Sequence, residues 1–572
     1  MIDLDSIDLS ELPDLPEAED NGFSMRPYQS ECIEAVESGW DEWPSQMVVL
    51  PTGAGKTVVF TRITHNWVSK GGRVLILAHT DELLDQAADK LRRSTGLVGS
   101  KEKGKDYAHL SDMVVLGSVQ TMCRDSRLSS WAENHFDLVI VDECHRTAAK
   151  GYQKILLHFG GHARILGVTA TPDRGDKRNL LEFYSRIAYQ YTLLDAVRDG
   201  WLVRPIAQTI PLELDLRGVG TSRTAQGSDY SPDEVSHRIE PFLGQIAAKI
   251  REAAPNRKTI IFMPSIDTAV KMADALQSEG FRAGYVSGEC PDRAEKIAAF
   301  NADEMQVICN AMLLTEGYDD DSVDCICVLR PTKIRSLFVQ CTGRGTRPLA
   351  GIVPLLNATR HTASEERRRI IAQSRKPNML ILDFLWLTDR HDLIHPANLV
   401  ARDAREADHM TENTPDGDLL ENEAQAHRDL LAALEKAVAK NRKKKGRTVD
   451  PLTFAVSVGD EELTEYEPES RWDAMEPTER QVKALESQGI DVTKVQYRGL
   501  ADKLLQRLAR RKEAGLCSIK AMNFLLKQSH FLEKLGMSAE DVPFLPRDRA
   551  SELCKRRITE LQRKARKGAH GG

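Results

Sequence analysis

The sequence predicts an α/β protein with two tandem parallel-sheet domains followed by a helical C-terminal region. Two successive stretches, within residues 71–171 and 259–383, alternate short apolar runs typical of buried strands with helical periods. This alternation is the pattern of strand–helix–strand units in a parallel sheet. Past residue 471 the chain is helical in its periodicity and basic. Because 572 residues are too many for one hydrophobic core, several domains are expected.

The composition is that of an ordinary globular protein, with 78 basic and 85 acidic residues and a net charge of −7. Since the whole chain has no positive field, nucleic-acid binding would need local basic surfaces. A basic leader and apolar runs of membrane-spanning length are lacking, so we expect no membrane partner and a cytoplasmic location. Ten dispersed cysteines predict neither a disulfide framework nor a zinc site. Cys325 and Cys327 are expected to be buried in a strand.

Five segments are predicted along the chain. In order, they are a disordered acidic tail (1–21), a first sheet domain (22–205), a second sheet domain (206–400), a linker with a helix and a basic run (401–470) and a helical basic accessory domain (471–572). The tail has eight acidic residues and no basic one, a composition that forms no packed core; an alternative role is mimicry of nucleic acid. Residues 217–240 are polar and rich in Gly and Ser, which predicts an interdomain loop.

A glycine-rich stretch stands between the first predicted strand and a helix. It reads PTGAGKT and comprises Thr52, Gly53, Ala54, Gly55, Lys56 and Thr57 after the proline. Glycines let backbone N–H groups surround a β-phosphate at the positive end of the helix. Lys56 can neutralise β- and γ-phosphate oxygens, and the Thr57 hydroxyl can ligate Mg²⁺. The stretch is therefore predicted to be a P-loop, although Leu50 stands where the strict pattern has a further glycine.

Two adjacent carboxylates, Asp142 and Glu143, follow the apolar run 136–141. Burying such a pair at a strand end is costly unless a cation is present, and Mg²⁺ would supply it. We predict that Asp142 holds the ion through water and that Glu143 polarises the attacking water as general base. Other polar residues also follow predicted strands, where ligands of open parallel sheets bind: His79, Thr80, Gln120, Thr121, Thr169 and Thr171.

Taken in order, these motifs resemble those of superfamily two DEAD/DEAH-like helicases, in the group of XPB-like helicases and type III restriction motors. The resemblance covers about residues 23–383, and the acidic tetrad reads DECH. It implies that both sheet domains are RecA-like and that ATP and Mg²⁺ are the cofactors. The second sheet domain has no P-loop, so it is expected to act on the nucleotide of the first.

The resemblance assigns seven further residues to the nucleotide: Arg26, Gln29, Gly317, Asp319, Gln340, Arg344 and Arg347. The first two would recognise adenine, where an amide can donate and accept at once. The next two would lie at the ribose. The last three form the pattern Q-x-x-G-R-x-x-R and would reach the γ-phosphate across the cleft, because fixed guanidinium charge stabilises phosphoryl transfer.

The nucleic-acid strand would be contacted by six residues, according to the same resemblance: His79, Thr80, Gln120, Thr121, Ser265 and Thr315. Thr169 and Thr171 would couple this face to the nucleotide site. The implied function is an ATP-dependent motor that moves 3′ to 5′ along DNA and unwinds it. Two alternatives stay open: an RNA helicase, and a nucleotide-gated clamp without processive unwinding. No paired acids with a lysine beyond the motor indicate a nuclease.

The remainder of the chain carries no catalytic pattern. Residues 403–423 are acidic and polar and favour a solvated linker, while the basic run 442–447 could contact phosphates. Two related helical hairpins are suggested by residues that recur at equal offsets: Thr478 and Ser518, Leu485 and Leu525, Gln488 and Gln528. This region could bind nucleic acid or a partner protein.

Overall fold

The computed structural model forms two compact units, Met1–Ala426 and His427–Gly572. The described residues are 25–171, 180–224, 227–288, 290–311, 318, 320–360, 363–387, 393–402, 404–442, 451–458, 460–464, 466, 468, 473 and 475–568. The predicted acidic tail, most of the basic run, and the site residues Thr315, Gly317 and Asp319 lie outside them.

The first unit begins with a parallel sheet of seven strands. They are β1 (Ser45–Val49), β2 (Val74–Ala78), β3 (Ser100–Glu102), β4 (Val114–Ser118), β5 (Leu138–Asp142), β6 (Arg164–Thr169) and β7 (Arg186–Gln190). Their order across the sheet is β3-β4-β2-β5-β6-β1-β7, and every neighbouring pair is parallel. Apolar runs predicted β1, β2, β4, β5 and β6. The polar β3 and the half-buried β7 lack such runs.

Helices cover both faces of this sheet. They are α1 (Pro27–Ser38), α2 (Lys56–Ser69), α3 (Asp81–Thr95), α4 (Val119–Met122), α5 (Asp125–Leu128), α6 (Lys150–Phe159) and α7 (Leu193–Arg198). Successive strand residues point to opposite faces. In β2, Val74 and Ile76 share a core with α1, α2 and α3, whereas Leu75 and Leu77 share one with Tyr152 of α6.

A second seven-stranded sheet follows. The strands from here on are β8 (Pro205–Asp215), β9 (Thr221–Thr224), β10 (Gly227–Tyr230), β11 (Thr259–Phe262), β12 (Ala283–Val286), β13 (Val307–Asn310), β14 (Cys325–Val328), β15 (Met379–Leu387) and β16 (Gly417–Asp418). The sheet order is β12-β13-β11-β14-β15-β8-β16, parallel except for β16, while β9 and β10 form a separate antiparallel ribbon. Cys325 and Cys327 are buried in β14, as predicted.

Nine helices are described between β10 and the end of this region. They are α8 (Pro232–Ile239), α9 (Leu243–Ala253), α10 (Ile266–Ser278), α11 (Arg293–Asn301), α12 (Arg335–Thr342), α13 (Val353–Ala358), α14 (Ser364–Gln373), α15 (Ala404–Asn413) and α16 (Leu419–Arg442). With two parallel α/β sheets in tandem, the predicted fold class is confirmed.

The polar segment 217–240 differs from the predicted loop, because it contains β9, β10 and α8. Its anchor is Asp229, which is buried and accepts hydrogen bonds from the Thr332 hydroxyl at 2.8 Å and the Lys333 amide at 3.0 Å. Val235 and Ile239 of α8 are buried as well. Partners about 100 residues away in the chain therefore fold a segment whose own composition favours a loop.

The predicted linker from residue 401 also differs at its start. β16 pairs with β8, and Met410 and Leu419 are buried in the core. Glu423 is fully buried between Arg198, at 2.6 Å, and Arg402, at 3.0 Å. The second sheet domain thus extends beyond residue 400. The sequence suggested a solvated linker because this stretch is acidic, whereas Glu423 is paired inside the protein.

The second unit is helical. Its described helices are α17 (Pro451–Val458), α18 (Glu461–Thr464), α19 (Glu479–Gln488), α20 (Arg498–Glu513), α21 (Ile519–Leu526), α22 (Ser529–Glu533) and α23 (Arg547–Gly568). Thr478 and Ser518 cap α19 and α21 with the same backbone angles, φ −67° and ψ 153°. Leu485 and Leu525 are both fully buried. In the described part of the chain, no helix is both long and apolar enough to cross a membrane.

Candidate nucleotide site

The glycine-rich stretch forms a tight loop between β1 and α2. Gly53 and Gly55 have φ of 86° and 83°, which only glycine adopts without strain. A Cβ at Gly55 would also lie 2.5 Å from Gln29 Nε2. The helix α2 begins at Lys56. Backbone N–H groups therefore gather at a helix N-terminus, as phosphate binding requires.

Gln29 and Tyr28 of α1 hold this loop from outside. Gln29 Nε2 donates to the Ala54 carbonyl at 3.0 Å, and the Tyr28 hydroxyl donates to the same carbonyl at 2.7 Å. Gln29 Oε1 accepts from the Arg26 amide at 3.0 Å. The Gln29 side chain is therefore bonded to protein at both ends in this structure, and its predicted contact with adenine would exchange these partners.

An ion pair joins the loop to the end of β5. Lys56 Nζ lies 2.7 Å from Glu143 Oε1, and Asp142 Oδ1 accepts from the Glu143 amide at 3.0 Å. Glu143 has a φ of 52°, a strained value for a residue other than glycine that is typical of functional sites. Burial opposes ionisation of Glu143, but Lys56 and His145 together hold the pKa of its carboxyl far below the usual range. Glu143 is thus kept as a carboxylate.

A polar chain leads from Glu143 to the predicted coupling residues. His145 Nδ1 lies 3.3 Å from both Glu143 Oε2 and the Thr169 hydroxyl. The Thr169 hydroxyl donates to the Thr171 carbonyl at 3.0 Å. All four side chains are largely buried. His145 had no role in the sequence prediction, although it belongs to the DECH tetrad; its position between Glu143 and Thr169 emerges only when β5 and β6 pair.

Residues of the second sheet domain pack directly on the P-loop. A Cβ at Gly53 would lie 2.9 Å from Arg347 Cγ, and a Cβ at Gly343 would lie 2.7 Å from Thr52 Cβ. Burial lowers the pKa of Arg347 to about 10, so the guanidinium stays charged at neutral pH. The structure therefore brings the Q-x-x-G-R-x-x-R pattern to the phosphate-binding loop.

The other two residues of that pattern lie deeper. Arg344 is buried and donates to the Tyr318 carbonyl. Gln340 is buried, and neither its side-chain nitrogen nor its oxygen has a hydrogen-bond partner among the described residues. An unsatisfied buried amide costs free energy. Gln340 is therefore a candidate ligand-contacting residue of this site.

The donor set fits a nucleoside triphosphate with Mg²⁺. Lys56 and Arg347 place positive charge at the glycine-rich loop, where the phosphates of a nucleotide would lie. Mg²⁺ is usually held by one or two protein oxygens together with phosphates and water, and Thr57 and Asp142 provide a hydroxyl and a carboxylate.

Two protein-family models correspond to the two sheets. Residues 22–174 match the type III restriction enzyme res subunit, and residues 242–348 match the helicase conserved C-terminal domain. The two matches support the predicted resemblance to the DEAD/DEAH-like helicase superfamily. The predicted resemblance and the two RecA-like domains are confirmed.

Relatives include a protein named as ATP-dependent helicase IRC3 of Saccharomyces cerevisiae, 30% identical over 341 residues, which are 56% of this chain and 49% of IRC3. A protein named as mitochondrial ATP-dependent helicase irc3 of Schizosaccharomyces pombe is 31% identical over 338 residues, which are 57% of this chain and 55% of that protein. DNA 3′-5′ translocase XPB2 of Sulfurisphaera tokodaii is 30% identical over 163 residues, which are 28% of this chain and 33% of XPB2. The chain spans about half the length of the two yeast relatives.

The helicase motifs predicted to contact nucleic acid lie at the carboxyl ends of β2 and β4. Thr80 caps α3 through a 3.4 Å bond from the Leu83 amide. Gln120 Nε2 donates to the His79 carbonyl at 2.6 Å, and Gln120 Oε1 accepts from the Ser118 hydroxyl. The two motifs are therefore adjacent, as the parallel pairing of β2 with β4 requires.

Two other predicted contact residues have structural partners. The Thr121 hydroxyl is buried and accepts from the Gly104 amide at 3.0 Å. Ser265 caps α10 and accepts a 2.9 Å hydrogen bond from Ser236. Direct contact of either hydroxyl with a nucleic acid stays a prediction.

The segment between the two sheets makes contacts with both sheet domains that the sequence prediction missed. The guanidinium carbons of Arg26 and Arg367 lie 4.8 and 4.5 Å from the Trp201 ring centroid. The Val203 amide donates to the Thr346 carbonyl at 2.7 Å. The sequence prediction ended the first domain at residue 205 and gave residues 193–205 no role at the site. No local pattern indicates these contacts, because Arg367 is far away in the chain.

Proposed function

We propose that this chain is a nucleic-acid-dependent ATPase that translocates 3′ to 5′ along DNA and unwinds it. The main support is the packing of Arg347 against Gly53, which joins the second sheet domain to the phosphate-binding loop of the first. A motor needs a shared site of this kind. ATP that binds the closed arrangement more tightly shifts the two domains toward it, and hydrolysis releases them.

Each residue of the site has one task in this proposal. Lys56 exchanges its ion pair with Glu143 for the β- and γ-phosphate oxygens. Glu143, already ionised, takes a proton from the attacking water. Arg347 stabilises the negative charge that develops on the transferred phosphoryl group. Thr57 and Asp142 would hold Mg²⁺, which would neutralise phosphate charge.

DNA as the track and the 3′ to 5′ direction are supported by the relative named as a DNA 3′-5′ translocase. The hydrolysis of ATP is supported by the two yeast relatives, both named as ATP-dependent helicases. Their length exceeds that of the shared region, so the activity of this chain needs its own test. The cytoplasmic location stays a prediction, and one yeast relative is named as mitochondrial.

Strand separation can be tested with matched duplexes of DNA and RNA that carry a 3′ tail, a 5′ tail or no tail. We expect ATP-dependent unwinding of the 3′-tailed DNA, with Glu143→Gln as the inactive control. Unwinding of RNA alone would favour the RNA helicase. Binding that depends on ATP without any strand separation would favour the clamp.

A further inference from the structure

The loop that follows β3 lies beside the two helicase motifs at the sheet edge. Its Gly104 amide donates to the Thr121 hydroxyl at 3.0 Å. The neighbouring residue Gln120 is bonded to the carbonyl of His79. Residues 103–109 are thus continuous with the surface on which the proposed function places the nucleic acid.

A buried guanidinium fixes the shape of this loop. Arg127 of α5 is 8% exposed and donates to the Glu102 carboxylate, to the Gly104 carbonyl at 2.6 Å and to the Asp106 carbonyl at 3.1 Å. The Ala108 amide donates to Glu102 Oε2 at 2.9 Å. A buried charge is tolerated only when it is paired and hydrogen-bonded, so the loop is held in one conformation.

The ring of Tyr107 packs against the Arg127 guanidinium. The guanidinium carbon of Arg127 lies 3.4 Å from the centroid of its ring, yet Tyr107 is 68% exposed. One face of the ring therefore rests on the guanidinium, in a cation–π contact, and the ring remains open to solvent. Three residues further on, Leu110 is exposed as well.

The charges around Tyr107 are mixed. Lys105 is exposed, but Lys101 and Lys103 are paired with Asp85 and Asp81 of α3. This surface has no strong positive field of its own. An aromatic ring held flat on a buried cation is suited to stacking, which tolerates any base because every base has a π-face.

We propose that Tyr107 is a base-stacking residue for a single-stranded segment of the track. The inference rests on the proposed function and adds a residue that none of the helicase motifs contains. Arg127 acts through Tyr107 as a positioning residue. Because stacking involves unpaired bases, the contact should distinguish a single strand from a closed duplex.

The test is the affinity of the full chain for a labelled single-stranded thymidine oligonucleotide and for a blunt duplex, measured by fluorescence anisotropy at several salt concentrations. Tyr107→Ala should weaken single-strand binding about 5- to 100-fold and leave duplex binding and the salt slope unchanged. Tyr107→Phe should keep the affinity of the original chain. The matched control is Leu157→Ala, which truncates an exposed side chain of α6 and should change neither affinity. The melting temperature checks folding.

An unchanged affinity of Tyr107→Ala, an equal loss with duplex, or failure of the Phe variant overturns the stacking role. If the original chain binds no nucleic acid at all, the proposed function fails together with this inference. If it binds and Tyr107→Ala binds a single strand as tightly as the original chain does, the proposed function stands and the inference alone is wrong.

Discussion

Lys56 Nζ and Glu143 Oε1 lie 2.7 Å apart, so the P-loop and the acidic tetrad are joined by a direct ion pair. Both side chains are largely buried, and a buried charge that loses its partner is costly. In the proposed function, the β- and γ-oxygens of the triphosphate replace Glu143 as partners of Lys56. The same exchange leaves Glu143 available to the attacking water.

Glu143→Gln should abolish turnover and leave ATP binding, because only the water-activating group is altered. The expected loss in kcat is about 10²- to 10⁴-fold, the usual contribution of a general base. Lys56→Ala should abolish turnover too, but with weaker nucleotide binding. Steady-state ATPase rates measure the loss of turnover, and nucleotide titrations measure ATP binding. Near-normal hydrolysis by Glu143→Gln would remove the general-base role.

Arg347→Lys and Arg344→Lys should each lower kcat far more than ATP affinity, since lysine lacks the planar fork of donors. For Arg347, on the P-loop side, we expect a loss on the order of 10³-fold, as for arginine fingers. Arg369→Lys is the matched control, because Arg369 is exposed and pairs with Glu366 on the surface of α14. A change confined to KM would show that neither arginine acts in the chemical step.

Lys376 makes stability depend on pH in a defined direction. It is buried, its Nζ donates to the Asp321 carbonyl at 2.6 Å, and burial lowers its pKa from 10.5 to about 7. Between these values the unfolded chain binds a proton that the folded chain does not, so this group makes stability rise with pH from about 7 to 10.5. Below about pH 7 the buried amine is charged in the folded chain, and the cost of burying that charge lowers stability in full.

The stability of Lys376→Met relative to the original chain should therefore be greatest at low pH. The melting temperature of the variant minus that of the original chain should fall as the pH rises from 6 towards 10. Taking the difference cancels the other groups that titrate in both proteins. A difference that is constant with pH would mean that Lys376 keeps an ordinary pKa in the folded state.

The second unit should govern where the motor acts and leave its chemistry alone. Its helices α20 and α23 are rich in Lys and Arg, and Arg510, Lys512 and Arg549 are exposed. Truncation near residue 450 should keep basal ATPase but weaken DNA binding and make its salt dependence shallower, because fewer counterions are released. Loss of melting temperature with an unchanged salt slope would indicate a stabilising cap. Unchanged DNA affinity with lost recruitment would indicate a protein dock.

The sequence predicted those parts of the fold that short local patterns encode. Apolar runs located β5 and β11, and glycine spacing located the P-loop, because a buried strand and a phosphate loop each need their own residue types. Contacts that join distant residues could not be predicted. The burial of Glu423 depends on Arg198 and Arg402, and the bond of Gln29 to Ala54 depends on how α1 packs. In both cases the polar side chain alone suggests contact with solvent or with a ligand, because the sequence does not reveal its partner within the protein.

The most direct test of the proposed motor is the rate of ATP hydrolysis by the full chain with and without saturating single-stranded DNA. We expect a Mg²⁺-dependent rate that rises many-fold with DNA and is lost in Glu143→Gln. Hydrolysis that is absent under all conditions, or that proceeds at the same rate with and without any nucleic acid, would contradict a motor driven at the site shared by Lys56, Glu143 and Arg347.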